Sequence, residues 1–416
     1  MMKQIKRAFC LLLAAATAAS LLMPASAEVP KKDTYPIVFV HGLIGFGEDA
    51  GISKALSPWG MMGGDTKEYL NDRGYECYVA SLGPVSSAWD RACELYAQLV
   101  GARVDYGAAH SAAHNHDRFG KTYKEPLVPD WSGERKLHLI GHSFGGVTAR
   151  LLAQWLEYGS ADERAATPAD ELSPLFSGKL GGRVASITTF AAPHNGSTAA
   201  EPVIGVGELL DRFMIVAAVA GAVIPFADRA YPLRLEHFGV SSKDLYRAPW
   251  KAFGAYKAFD ESADRMDTDL TIDGAAALNK AIECLPDVYY FSYYGQMTQD
   301  DGSGSQAPKE NTSLLMRPFA KRIGKRKESF RTAGGTLIDD TWLPNDGLVN
   351  VISGKYPFTE PHRNYDSNII RPGVWQVMPM IDHYDHLDFW GGLRLGGAPG
   401  YDEFCLAHAA ILERIQ

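Results

Sequence analysis

The sequence predicts an α/β protein with a central, mostly parallel sheet flanked by helices. Three observations predict it. Apolar runs recur along the chain without polar alternation, the pattern of strands buried on both faces. Segments with helical apolar spacing separate these runs. One apolar run ends directly in Gly141-His142-Ser143-Phe144-Gly145 and leads into a helix-like stretch, as a strand turning sharply into a helix would.

The elements follow in order. "YPIVFVHG" (35–42) is the first predicted strand, and glycine-rich "LIGFG" (43–47) is the loop after it. "ECYVASLG" (76–83) is the second strand, and "WDRACELYAQLV" (89–100) has helical spacing. "KLHLIGHS" (136–143) leads into the helical "GGVTARLLAQWLEYG" (145–159). "ASITTFAAPH" (185–194) and "VYYFSYYG" (288–295) are further strands, while "TQDDGSGSQAP" (298–308) reads as a surface loop. No internal repeat and no Pro/Gly/Ser-rich boundary divides the chain, so residues 28–416 are expected to form a single domain with long insertions.

At the N-terminus, Lys3, Lys6 and Arg7 precede an apolar run, and Ala25-Ser26-Ala27 has the small-residue pattern of a cleavage site. These features predict a secretory signal peptide over 1–27 and an extracellular product. The apolar run is short for a bilayer span, so no transmembrane anchor is expected. The formal net charge is −8, and the signal segment adds only positive charge, which argues against a nucleic-acid partner. Cys77, Cys93, Cys284 and Cys405 form no C-x-x-C pair and are too few for a disulfide framework, so buried thiols are expected.

A serine on a strand-to-helix turn gains meaning if an acid and a histidine follow it in chain order. Asp346 lies in the turn Asn345-Asp346-Gly347 of "LIDDTWLPNDGLVN", with Asp339 and Asp340 as competitors. "MPMIDHYDHLDFWGG" offers His386 or His383 as the base. In the combination Ser143, Asp346 and His386, the histidine takes the serine proton and the carboxylate fixes the imidazole. The developing oxyanion needs donors. The backbone N–H of Phe144 follows the nucleophile, and that of Leu43 lies in the loop after the first strand.

The blocks "VHGLIGFG", "GPVSSAWDRACELYAQLVGARVDYGAAHSAAH", "RFGKTY", "GHSFGG", "SPLF", "APHNGS", "DDTWLPNDGLVN" and "DHLDF" make the chain resemble the secreted bacterial true lipases of family I.5, the thermophilic bacillus and staphylococcal group. The resemblance runs along nearly all of residues 28–416. It implies an α/β-hydrolase fold and action on carboxyl esters of lipids at an oil–water interface. Its triad falls on Ser143, Asp346 and His386. Related polyesterases give the alternative of a short-chain esterase acting on polyesters.

The resemblance further implies a structural zinc ion in a region beside the lid, held by Asp90, His110, His116 and Asp264. His114 and Asp269 are the neighbours that a shifted alignment would select. It also implies calcium, for which Asp388 is the only ligand position: the next carboxylate is missing from "FWGGLRLGG". The lid would lie around 203–229, where the apolar "DRFMIVAAVAGAVIPFADR" (211–229) is bounded by charges and too short to cross a bilayer.

Overall fold

The computed structural model describes residues 30–201, 227–247 and 257–415. The expected signal segment and nearly all of the expected lid lie outside the described residues.

Seven strands form the central sheet: β1 (Ile37–Val40), β2 (Cys77–Val79), β3 (Leu137–His142), β4 (Val184–Phe190), β5 (Tyr289–Tyr293), β6 (His362–Asn364) and β7 (Trp375–Val377). Their order is β6-β7-β5-β4-β3-β1-β2, and every pairing is parallel. β1 to β5 fall within the five predicted runs, β4 beginning one residue earlier, at Val184. β6 and β7 were not predicted, because each has three residues and "HRN" carries no apolar signal. The stretch 298–308 is also more ordered than a loop: Thr298–Asp300 pairs antiparallel with Gln306–Pro308 around a glycine-rich turn.

Alternation along the strands sends side chains to two cores. Val38, Val40, Leu137 and Leu139 join one, together with helices α1 (Ala88–Val100) and α3 (Phe144–Tyr158). Ile37, Phe39, Ile140 and Phe291 join the other, which contains α4 (Tyr401–Leu412). Burial on both faces explains the unbroken apolar runs. Helix α1 begins at Ser87, whose side chain accepts the Asp90 N–H (3.2 Å), and it ends at Gly101 in the left-handed region (φ 68°). An antiparallel ribbon, Arg103–Asp105 with Phe119–Thr122, encloses the short helix α2 (Ala108–His114) beside α1. Among the described residues, Cys77, Cys93, Cys284 and Cys405 are all free thiols. Among the described residues, no helix is long and apolar enough to cross a membrane.

Candidate active site and metal centre

Ser143 occupies the turn between β3 and α3 with φ 54° and ψ −127°, a strained conformation for a residue with a side chain. The glycines around it permit the sharp turn. A Cβ on Gly141 would come within 2.4 Å of the backbone of Gly145 and Gly146, and one on Gly145 within 2.0 Å of the Val40 carbonyl oxygen. G-x-S-x-G is therefore a packing requirement of this junction. The Ser143 N–H is held by the Phe190 carbonyl on the neighbouring strand (2.8 Å).

The structure brings Asp346 and His386 to this serine. His386 Nε2 lies 2.9 Å from Ser143 Oγ, and His386 Nδ1 lies 3.0 Å from Asp346 Oδ2. The other carboxylate oxygen accepts the N–H groups of Leu348 (2.9 Å) and Val349 (2.7 Å), which fix its orientation. The two loops also meet through backbone, His386 N–H to the Asp346 carbonyl at 2.9 Å. Asp339 instead caps its own turn at Thr341, exposed Asp340 pairs with Arg326, and exposed His383 faces Asp382. None of these three joins the serine.

One participant went unread in the sequence although it lies inside the motif. His142 donates from Nε2 to the His386 carbonyl (2.9 Å) and stacks on Trp390. Burial pushes its pKa well below the usual histidine value, so the ring is neutral.

Ser143 opens into a cavity of about 330 Å³ lined largely by apolar side chains, among them Leu43, Ile44, Met316, Phe319 and Leu348. Half-exposed Leu315 and Leu393 also line it. The loop after β1 approaches the serine so closely that a Cβ on Gly42 would lie 2.7 Å from Ser143 Cβ. His41 fixes this loop: its Nε2 accepts the Leu82 N–H (3.0 Å), leaving Nδ1 to donate to the Gly42 carbonyl (3.0 Å).

Asp90, His110, His116 and Asp264 converge, one ligand atom of each lying within 4.8 Å of the others. Asp90 stands in the first turn of α1 and His110 in α2. Asn115, at φ 55°, ends α2 and turns the chain back, and the His116 N–H returns to the Ser111 carbonyl (3.1 Å). His116 Nδ1 bonds the Asp117 carbonyl (2.9 Å), which leaves Nε2 as the lone-pair nitrogen. That nitrogen and Asp90 Oδ1 are buried without a hydrogen-bond partner among the described residues, as atoms reserved for an ion would be. The donor set therefore fits a metal ion. His237, which the sequence reading did not include, orients the cluster through Asp90 Oδ2 at 2.8 Å. Asp269 turns away to accept the Ala88 N–H at the start of α1 (2.8 Å), and His114 only lies against the His110 ring.

Asp388 is buried, and its Oδ2 accepts the Asp385 N–H (3.0 Å) and pairs with the Arg394 guanidinium. Among the described residues it belongs to no cluster of three or more metal-ligating side chains. The residues at this position do not fit a calcium ion: the Arg394 guanidinium already stands against the Asp388 carboxylate.

Residues 33–397 match the family described as "Lipase-like, C-terminal domain". A lipase of Staphylococcus epidermidis is 38% identical over 368 residues, covering 86% of this chain and 50% of the relative. The chain thus spans about half the length of the curated relatives it matches. Among solved structures, Staphylococcus hyicus lipase superposes with a TM-score of 0.79 at 33% identity, covering 94% of this chain and 98% of that one. EstA from Clostridium botulinum gives 0.78 at 32% identity, covering 93% and 89%. With the elbow serine on an all-parallel sheet, these similarities establish an α/β-hydrolase fold, and the chain belongs to the lipase-like C-terminal-domain family.

Proposed function

We propose that this chain is a secreted serine carboxylic-ester hydrolase, a lipase cleaving fatty-acyl esters through Ser143, His386 and Asp346. One observation carries the reading: the unbroken series Ser143 Oγ, His386 Nε2, His386 Nδ1 and Asp346 Oδ2, at 2.9 and 3.0 Å, at the mouth of an apolar cavity. His386 accepts the serine proton as Oγ attacks the ester carbonyl carbon. Asp346 holds the imidazole tautomer and stabilises the imidazolium. The carbonyl oxygen becomes an oxyanion that accepts the N–H groups of Phe144 and Leu43. Phe144 is the first residue of α3, where backbone N–H groups lack an acceptor within the helix. Losing one such donor typically costs roughly 3–4 kcal/mol of transition-state stabilisation. His386 then protonates the departing alcohol, and water, deprotonated by the same ring, releases the acid from the acyl-enzyme.

The metal assigned to Asp90, His110, His116 and Asp264 is zinc. Two carboxylates and two imidazoles suit a tetrahedral ion, and four protein ligands leave no position for substrate. When bound, the ion supplies cross-linking of α1, α2 and the segment before Met266. Residues 203–229 are assigned as the lid. Deletion of the apolar stretch 211–229 is expected to remove the preference for emulsified substrate and to spare soluble esters, whereas equal loss of both activities would overturn the assignment.

The exposed leucines beside the cavity also favour a second substrate, an aliphatic polyester surface. Initial rates on tributyrin and triolein emulsions, with Ser143→Ala in parallel, test these readings. Activity on both that vanishes in the variant supports the lipase. Serine-dependent activity on tributyrin alone moves the assignment to a short-chain esterase or polyesterase. Activity that survives Ser143→Ala overturns the serine mechanism.

A further inference from the structure

Arg91 follows the metal-cluster residue Asp90 on α1, and its side chain is fully buried. Its guanidinium is distributed over neutral groups. Nη2 donates to the His41 carbonyl, Nη1 to the Gly83 carbonyl (2.5 Å) and Nε to Thr148 Oγ1 (3.1 Å). Thr148 in turn donates its hydroxyl proton to the Phe144 carbonyl (3.1 Å). One side chain therefore joins the loop that carries Leu43 to the helical turn that begins at Phe144. Burying a guanidinium is unfavourable unless its donors are satisfied, so these bonds have to stay formed together.

The same helix also holds the loop behind these contacts. Glu94 Oε2 accepts the Gly83 N–H (2.6 Å), while Gln98 bonds both the N–H (2.9 Å) and the carbonyl (2.6 Å) of Ser81. The Pro84 carbonyl then accepts the Ile44 N–H (2.9 Å). Ile44 needs that support. Its φ of 53° places a β-branched residue in the left-handed region, a conformation that persists only where its surroundings enforce it.

We propose that Arg91 is a positioning residue for ester hydrolysis, setting the separation between the Leu43 and Phe144 N–H groups. The inference rests on the reading of Ser143 as nucleophile with those two groups as oxyanion donors. Donors fixed in advance stabilise charge that exists only in the transition state, so a misplaced donor lowers kcat and leaves KM little changed. Mere loss of structure would reduce the active fraction without changing the affinity of the molecules that remain folded.

The test uses the full chain with Arg91→Met and Arg91→Lys, a soluble p-nitrophenyl ester, and a trifluoromethyl ketone whose adduct with serine is an oxyanion. Arg91→Met is expected to lower kcat about 10- to 100-fold with KM within about threefold, somewhat less than deletion of a donor. The ketone inhibition constant should rise in parallel. Arg91→Lys should recover part of both, since an ammonium keeps the charge without the planar fork. If Arg91→Met does not fold, Arg91→Lys and Thr148→Val carry the same comparison, because Thr148→Val removes the link to the Phe144 carbonyl.

An unchanged kcat overturns the proposal. So does a lowered kcat with an unmoved ketone constant, or a loss that added zinc restores in full. Activity that survives Ser143→Ala in the parent chain marks failure of the underlying reading instead, whatever the Arg91 variants do.

Discussion

The His142 ring donates from Nε2 to the backbone carbonyl of His386 at 2.9 Å, so the residue before the elbow serine holds the loop that carries His386. His142→Phe keeps the stacking on Trp390 and removes this bond. A neutral hydrogen bond contributes about 1 kcal/mol net. The variant is expected to be less stable by about that amount and to turn over several-fold more slowly. Because burial keeps the wild-type ring neutral, the acid limb of the kcat/KM profile should stay in place. A limb displaced by one pH unit would show that His142 titrates during catalysis, contrary to its buried position.

Metal removal should act on stability before chemistry. Asp90, His110, His116 and Asp264 come from α1, α2, the residue after its cap and the segment before Met266, so an ion bound there would join parts distant in sequence. Chelation of the purified protein is expected to lower Tm by several degrees, and added zinc to raise it again in a concentration-dependent way. His116→Ala should bind less than one zinc per chain by elemental analysis, with Ser143 still open to a fluorophosphonate probe. Full metal content in His116→Ala would remove that residue from the site.

The Asp388–Arg394 pair leads to the opposite expectation for calcium. Asp388 stands two residues after His386, and the arginine supplies the positive charge beside its buried carboxylate. Millimolar calcium or a calcium-selective chelator should therefore leave Tm and activity unchanged. Arg394→Leu should be destabilising, because it strands a buried carboxylate. A calcium-dependent rise of Tm in the parent chain would refute this account. The same rise confined to Arg394→Leu would support it.

How much was legible in the sequence follows from range and length. β1 to β5 showed as apolar runs because both faces are buried, and Ser143 showed because a tight strand-to-helix turn requires glycines on both sides. Asp346 and His386 were reached by chain order rather than by local pattern. His362–Asn364 was invisible: a three-residue edge strand buries too little to leave an apolar signature. His237 and Arg394 were missed for another reason. Their partners, Asp90 and Asp388, are found only after folding, and neither "LEHFGV" nor "GGLRLGG" carries a local signal for the pairing. The arms of the 298–308 ribbon are three residues each, and the glycine-rich turn between them dominates that stretch.

Buried histidines should contribute to acid sensitivity, and His138 and His408 are two of them. His138 Nδ1 bonds Ser186 Oγ (2.8 Å), and His408 bridges Thr188 (2.6 Å) and Tyr293 (3.0 Å) through their hydroxyls. Burial pushes both rings down to about 3. A histidine depressed in the folded chain stays neutral there, while the unfolded chain takes up a proton below about 6.5. The stability from these rings is thus fully present above about pH 6.5. It falls as the pH drops towards 3, by up to about 1.4 kcal/mol per pH unit for each ring. Urea unfolding of the parent chain and of His408→Gln at pH 7 and pH 4.5 isolates one ring. The variant should be less stable at pH 7, having lost a fitted bridge between two hydroxyls, yet lose less stability between the two pH values. Equal losses in both proteins would show that His408 is not depressed in the native state, and that the acid sensitivity arises elsewhere.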